Sequence, residues 1–184
     1  MNAMWHDLAM ILAVAGPVCA GIVFAMAGAE KLRHRAILRG VIANYRLLPD
    51  FAVAPFAVLQ PPVELMLGFL LLTGLAKPFA SLGAILLLAL FAAAMAINIK
   101  RGRAHIDCGC GGASLRQPLR WSLVARNLLL AVALLPSLAV TDAASLPLLI
   151  AGAGAGVAFF VLYAVANALA ALPRRDASGT PVAV

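Results

Sequence analysis

The chain has 184 residues, of which 64% are hydrophobic and only 11% charged. Soluble domains carry about 25% charged residues, so a water-soluble globular domain is excluded. The formal net charge of +7 sits at the ends of apolar blocks. That placement reads as membrane orientation and attraction to anionic lipid, not as a nucleic-acid surface.

The apolar blocks are long and uniform, and a bilayer needs about 20 such residues per helical span. Five spans are predicted: Leu8 to Ala29, Phe51 to Ala76, Pro78 to Ile99, Trp121 to Val140 and Leu146 to Leu172. Uniform rather than alternating hydrophobicity favours helices over a barrel. The expected fold class is therefore all-α, a polytopic membrane helical bundle. Residues 1–172 form one integral membrane domain in this reading, and 173–184 a flexible tail.

The first block resembles a signal peptide only in position. No Lys or Arg precedes it, it is too long for an h-region, and further spans follow, so it is expected to stay in the mature protein. Beyond it, Ile37, Leu38, Val41, Ile42 and Tyr45 recur at helical spacing among Arg39, Asn44 and Arg46. That is the pattern of a short amphipathic helix in the membrane interface. Leu47 to Asp50 punctuates before the second span.

The second span contains Gln60-Pro61-Pro62-Val63-Glu64. Two prolines remove two backbone donors, which predicts a kink. Gln60 and Glu64 share a helix face. A carboxylate at this depth is costly and faces a bundle interior or a wet cavity. Glu64 is either a protonated or hydrogen-bonded tie between helices, or a proton carrier or quinone-site residue. In the fourth span Arg126 is placed to snorkel to the basic side. In the fifth, Gly152, Gly154 and Gly156 follow no strand, so they read as close helix packing and not as a phosphate loop.

The chemistry-bearing loop lies between the third and fourth spans: His105-Ile106-Asp107-Cys108-Gly109-Cys110-Gly111-Gly112. Two cysteines flanking one glycine can close only a small, strained ring, and strained disulfides are the exchange-prone kind. Lys100, Arg101, Arg103 and His105 favour a thiolate, while Asp107 opposes it. Thiol–disulfide exchange by Cys108 and Cys110, tuned by His105 and Asp107, is the leading reading. Metal binding by the same four donors is an alternative, crowded for a tetrahedral site. A small-residue turn with incidental cysteines is a third. Cys19 in the first span reads as a small buried hydrophobe, with electron relay as its alternative.

Twelve of the fourteen basic residues fall on one side of a five-span topology. Lys- and Arg-rich loops stay cytoplasmic, so a bacterial inner-membrane protein with its N-terminus periplasmic and its C-terminus cytoplasmic is predicted. The same rule puts the cysteine loop on the reducing side, where a disulfide oxidant is least expected.

Three segments carry a family resemblance: Ala27-Gly28-Ala29-Glu30-Lys31-Leu32, Pro61-Pro62-Val63-Glu64, and Asn98-Ile99-Lys100-Arg101-Gly102 followed by Asp107-Cys108-Gly109-Cys110-Gly111. From about Leu8 to Leu172 the chain resembles the methylamine utilisation protein MauE family, relatives of the DoxX-like membrane proteins. The resemblance implies a four-helix DoxX-like core plus one helix, and a part in maturing methylamine dehydrogenase. The small (beta) subunit of that enzyme is periplasmic, dense in disulfides and carries a tryptophan-derived quinone. It also implies a thioredoxin-like, MauD-like partner, and places Cys108 and Cys110 at the family's cysteine pair. A non-catalytic scaffold or export factor for such a partner, or a small metal-handling transporter, are the other functions the chain admits. No motif specifies a cofactor; a membrane quinone is the one candidate.

Overall fold

A computed structural model describes residues 2–109, 117–140 and 144–171, with side chains described from residue 4 to 169 within those segments. Its elements are α1 (Asn2–Arg33), α2 (Arg35–Tyr45), α3 (Asp50–Thr73), α4 (Lys77–Lys100), α5 (Trp121–Ala133), α6 (Pro136–Ala139) and α7 (Leu146–Ala171). No strand occurs among the described residues, apart from one isolated bridge between Asp107 and Pro118. Five helical stretches are long and apolar enough to cross a membrane: Met4–Arg33, Asp50–Thr73, Lys77–Lys100, Trp121–Ala139 and Leu146–Leu169. The all-α, five-span reading holds.

The boundaries differ in instructive ways. The first helix runs past Ala29 to Arg33, because Glu30 and Lys31 lie on a continuing helix and not in a loop. The second stops at Thr73, three residues short of the expected Ala76, where Gly74 turns left-handed at φ +71°. The fourth is broken: Pro136 lacks an N–H to continue α5, and a short α6 restarts there. The Ser137 hydroxyl then bridges the Ser81 hydroxyl of α4 at 2.7 Å and the Leu134 carbonyl at 2.6 Å, satisfying buried polar groups at the break. The expected tail at 173–184 lies outside the described residues.

Helix α1 is the hub, packed on α3, α7 and the α5–α6 pair. Lipid gives no hydrophobic drive between helices, so close backbone approach through small residues supplies the packing. A Cβ on Gly152 would sit 2.6 Å from Val14 Cβ, and one on Gly156 2.8 Å from the Ala15 carbonyl oxygen. Those two glycines, four apart, seat α7 on α1; Gly154 faces open space and takes no part. Helix α7 is otherwise largely exposed to the lipid.

Arg126 of α5 reaches the outermost helix. Its Nη1 donates to Asn167 Oδ1 of α7 at 2.6 Å, and the guanidinium lies 5.5 Å from the Tyr163 ring centroid. It therefore ties α5 to the outer helix.

Candidate functional site

The site forms where the ends of α1, α2 and α4 meet the middle of α3. On α3, which stays helical through Pro61 and Pro62, Glu64 is fully buried. Both its carboxylate oxygens accept from the Lys31 ammonium of α1, at 2.8 and 2.7 Å. Gln60 Nε2, one turn earlier, donates to Glu64 Oε1 at 3.0 Å. A buried carboxylate is tolerated when paired and hydrogen-bonded, and this one is both. Lys31 is only 9% exposed. Its charge belongs to the bundle interior, which removes it from the basic loop cluster to which sequence position alone assigned it. The ammonium also lies 5.6 Å from the Phe91 ring centroid of α4.

The approach that makes this pair possible comes from Gly28, one turn before Lys31. A Cβ there would stand 3.0 Å from the Pro61 carbonyl oxygen and 2.9 Å from Leu65 Cγ. Glycine lets α1 come close enough to α3 for the ammonium to reach the carboxylate.

The cysteine loop folds back onto the bundle. After α4, Gly102 takes φ +73° and the chain reverses. Arg103 Nη1 donates to Asn98 Oδ1 at 3.2 Å and to the Tyr45 carbonyl at 3.4 Å, and Nη2 to the Asn44 carbonyl at 2.5 Å. A guanidinium at the last carbonyls of α2 caps that helix and complements its dipole. The Cys108 N–H then donates to the Gln117 carbonyl at 3.0 Å, and the Leu119 N–H to the Ile106 carbonyl at 3.2 Å. This makes a narrow stem with Ile106, Cys108 and Leu119 packed among Ala92 and Met95 of α4 and Leu123 and Val124 of α5.

Cys108 is 7% exposed, beneath α2. The Tyr45 hydroxyl donates to its carbonyl at 3.1 Å. Gly109 turns left-handed at φ +70°, and a Cβ on it would meet Val41 Cγ1 at 2.9 Å, so only glycine fits under the amphipathic helix.

Between these parts lies a cavity of 190 Å³. Cys108 and Gly109 form one wall, α2 contributes Val41 and Tyr45, and Lys31 and Gln60 sit at the polar end. The remaining lining is apolar, from Phe56 of α3 to Leu90 and Phe91 of α4.

Of the residues singled out from sequence, Cys108 and Glu64 border this one region, Glu64 through Lys31 and Gln60. Asp107 is half-buried in the stem bridge, and His105 is exposed on the loop's outer side. Cys110 lies outside the described residues. Among the described residues, no three His, Cys, Asp or Glu side chains gather as a metal site would require. Cys19 belongs to a separate cluster with Leu71, Ala84 and Leu130. Twelve residues of helix put it roughly 18 Å along α1 from Lys31, and Cys108 packs in a different cluster.

The family described as methylamine utilisation protein MauE matches residues 8–140. The chain belongs to this family. The MauE of Paracoccus denitrificans is 43% identical over 155 residues, covering 82% of this chain and 83% of that protein. The MauE of Paracoccus versutus is 39% identical over 86% of this chain and 87% of that protein. The MauE of Methylorubrum extorquens is 39% identical over 77% and 78% respectively. No solved structure matches. The three segments that carry the MauE resemblance are far apart in sequence and lie close to one cavity: Lys31, Cys108 and Gly109 line it, Glu64 pairs with Lys31, Gly28 packs on Pro61, and Asn98 bonds Arg103. Sequence reasoning did not place Lys31, Tyr45 and Asn98 at the site, and it gave Arg103 only as a charge near the thiols. The motif positions of Lys31 and Asn98 were the signals available for those two.

Proposed function

We propose that this MauE-family protein supports thiol–disulfide chemistry in the maturation of a periplasmic protein of methylamine metabolism, the methylamine dehydrogenase small subunit. Cys108 and Cys110 are the redox pair. His105 and Asp107 tune it electrostatically, and a thioredoxin-like, MauD-like protein exchanges with it. The observation that carries the reading is the placement of Cys108: packed into the bundle, held by Tyr45 and lining a cavity whose polar end is Lys31, itself paired with the buried Glu64. A turn whose cysteines were incidental would not need such a seat.

The protein lies in the bacterial inner membrane with its N-terminus periplasmic, a topology supported by the basic residues after α1 and α4. That topology puts the cysteine loop at the cytoplasmic end, away from its periplasmic client. The burial of Cys108 supports access to the pair through the bundle in place of open access from the cytoplasm.

The test is covalent trapping. With Cys108→Ser and Cys110→Ser made singly, one of the two variants accumulates a mixed disulfide with the thioredoxin-like protein, released by dithiothreitol. The second reading, a non-catalytic scaffold for that partner, draws on the same burial of the thiol. Co-purification with no covalent adduct in either variant favours the scaffold and overturns the redox reading.

A further inference from the structure

We infer that the 190 Å³ cavity binds the ring of a membrane-soluble quinone, which takes the electrons of the Cys108–Cys110 pair. Size is the first argument. Pockets of about 300–1,000 Å³ enclose whole drug-sized ligands, so this one takes a single substituted ring and leaves a tail outside.

Chemistry at the inner end is the second. Lys31 has three ammonium hydrogens and gives two to Glu64. The third has no acceptor among the described residues, and Lys31 lines the cavity. An ammonium held this way donates to a ring carbonyl oxygen and stabilises the negative charge that reduction builds there. Phe91, over whose ring the ammonium lies, lines the cavity beside it and adds aromatic surface to the apolar wall.

The way in is the third. Helices α3 and α4 touch only sparsely. Leu90 of α4, on the cavity wall, is half exposed on the outside of a membrane-spanning helix, and Leu47, just after α2, is about a third exposed. A ligand enters from the bilayer, which suits a lipophilic oxidant and not a water-soluble one.

The electron step rests on the thiol–disulfide reading above. Two S–H bonds break and one S–S bond forms. The two electrons and two protons released convert the quinone's two carbonyls to the hydroxyls of a quinol. An oxidant drawn from the membrane also lets a disulfide form at a cytoplasmic-side loop despite the reducing compartment.

The experiment uses the full chain purified in detergent, with a photoreactive azido derivative of decylubiquinone as probe. Photolabelling is expected within segments 31–48 and 90–95, with decylubiquinone competing and decanol not. It persists in the Cys108→Ser/Cys110→Ser variant, which keeps the cavity. Ala94→Phe, which puts a ring in the cavity while leaving the ion pair alone, weakens it about tenfold or more. An unchanged melting temperature shows that this variant is folded. Dithiothreitol-reduced wild type, freed of reductant, converts decylubiquinone to quinol in proportion to protein, and the double-serine variant does not. Labelling spread over α7, equal competition by decanol, or undiminished labelling of Ala94→Phe overturns the site. Quinol yield unaffected by the double serine overturns the electron step. None of these outcomes touches the exchange reading, which stands or falls on the trapped mixed disulfide.

Discussion

Lys31 and Glu64 take the place of water for one another. Each is buried, and each would be an uncompensated charge without the other. Removing one partner of a buried pair costs about 3–5 kcal/mol, while replacing both is far milder. Lys31→Met is therefore expected to lower the melting temperature in detergent markedly. Lys31→Met combined with Glu64→Gln should recover most of the loss, a non-additivity read from a double-mutant cycle. Glu64 was legible from sequence because a carboxylate amid apolar residues has to be explained. Its partner was not. Lys31 stands where the first apolar block runs out, and helical periodicity says nothing about which residue 33 positions away faces it.

At the scale of elements, the amphipathic stripe of α2 was readable from the spacing of Leu38, Val41, Ile42 and Tyr45. What it covers was not, because the pattern of an interfacial helix is the same whether it lies on lipid or on protein. Here the stripe roofs the cavity and seats Gly109, and Arg103 fastens its end through the Asn44 and Tyr45 carbonyls. Hydrogen bonds from a charged group contribute about 1.5–3 kcal/mol each. Arg103→Ala should free the end of α2 and raise the opening of the roof on the order of tenfold or more. The readout is the rate at which N-ethylmaleimide alkylates Cys108 in a Cys19→Ala/Cys110→Ser background. An unchanged rate would mean that α2 does not control access to the thiol. The break at Pro136 was likewise hidden, since the apolar block runs through it without a change of composition.

At the scale of the molecule, the five-span count followed from composition and block length, whose physics is set by the bilayer. The proposed orientation rests on the basic residues and is open to direct measurement. In a cysteine-free background, Leu75→Cys, in the exposed turn between α3 and α4, should react with a membrane-impermeant maleimide on intact cells. Ile37→Cys, exposed on α2, should react only after permeabilisation. The reverse pattern would turn the protein over and bring the cysteine loop to the periplasm.

The linkage of three distant motifs through Lys31, Glu64 and Cys108 beside one cavity also belongs to this scale, and no single segment could have announced it. It makes Cys108 part of a bundle-wide arrangement, with α1 and α3 held by the ion pair and Gly109 seated under α2. In the proposed function this arrangement serves the thiols of Cys108 and Cys110. The most direct test replaces both with serine in a methylamine-grown host and counts, by mass spectrometry, the disulfides of the methylamine dehydrogenase small subunit. An under-oxidised, immature subunit is expected, with the variant present in the membrane at wild-type levels. A fully disulfide-bonded, active enzyme in that strain would contradict it.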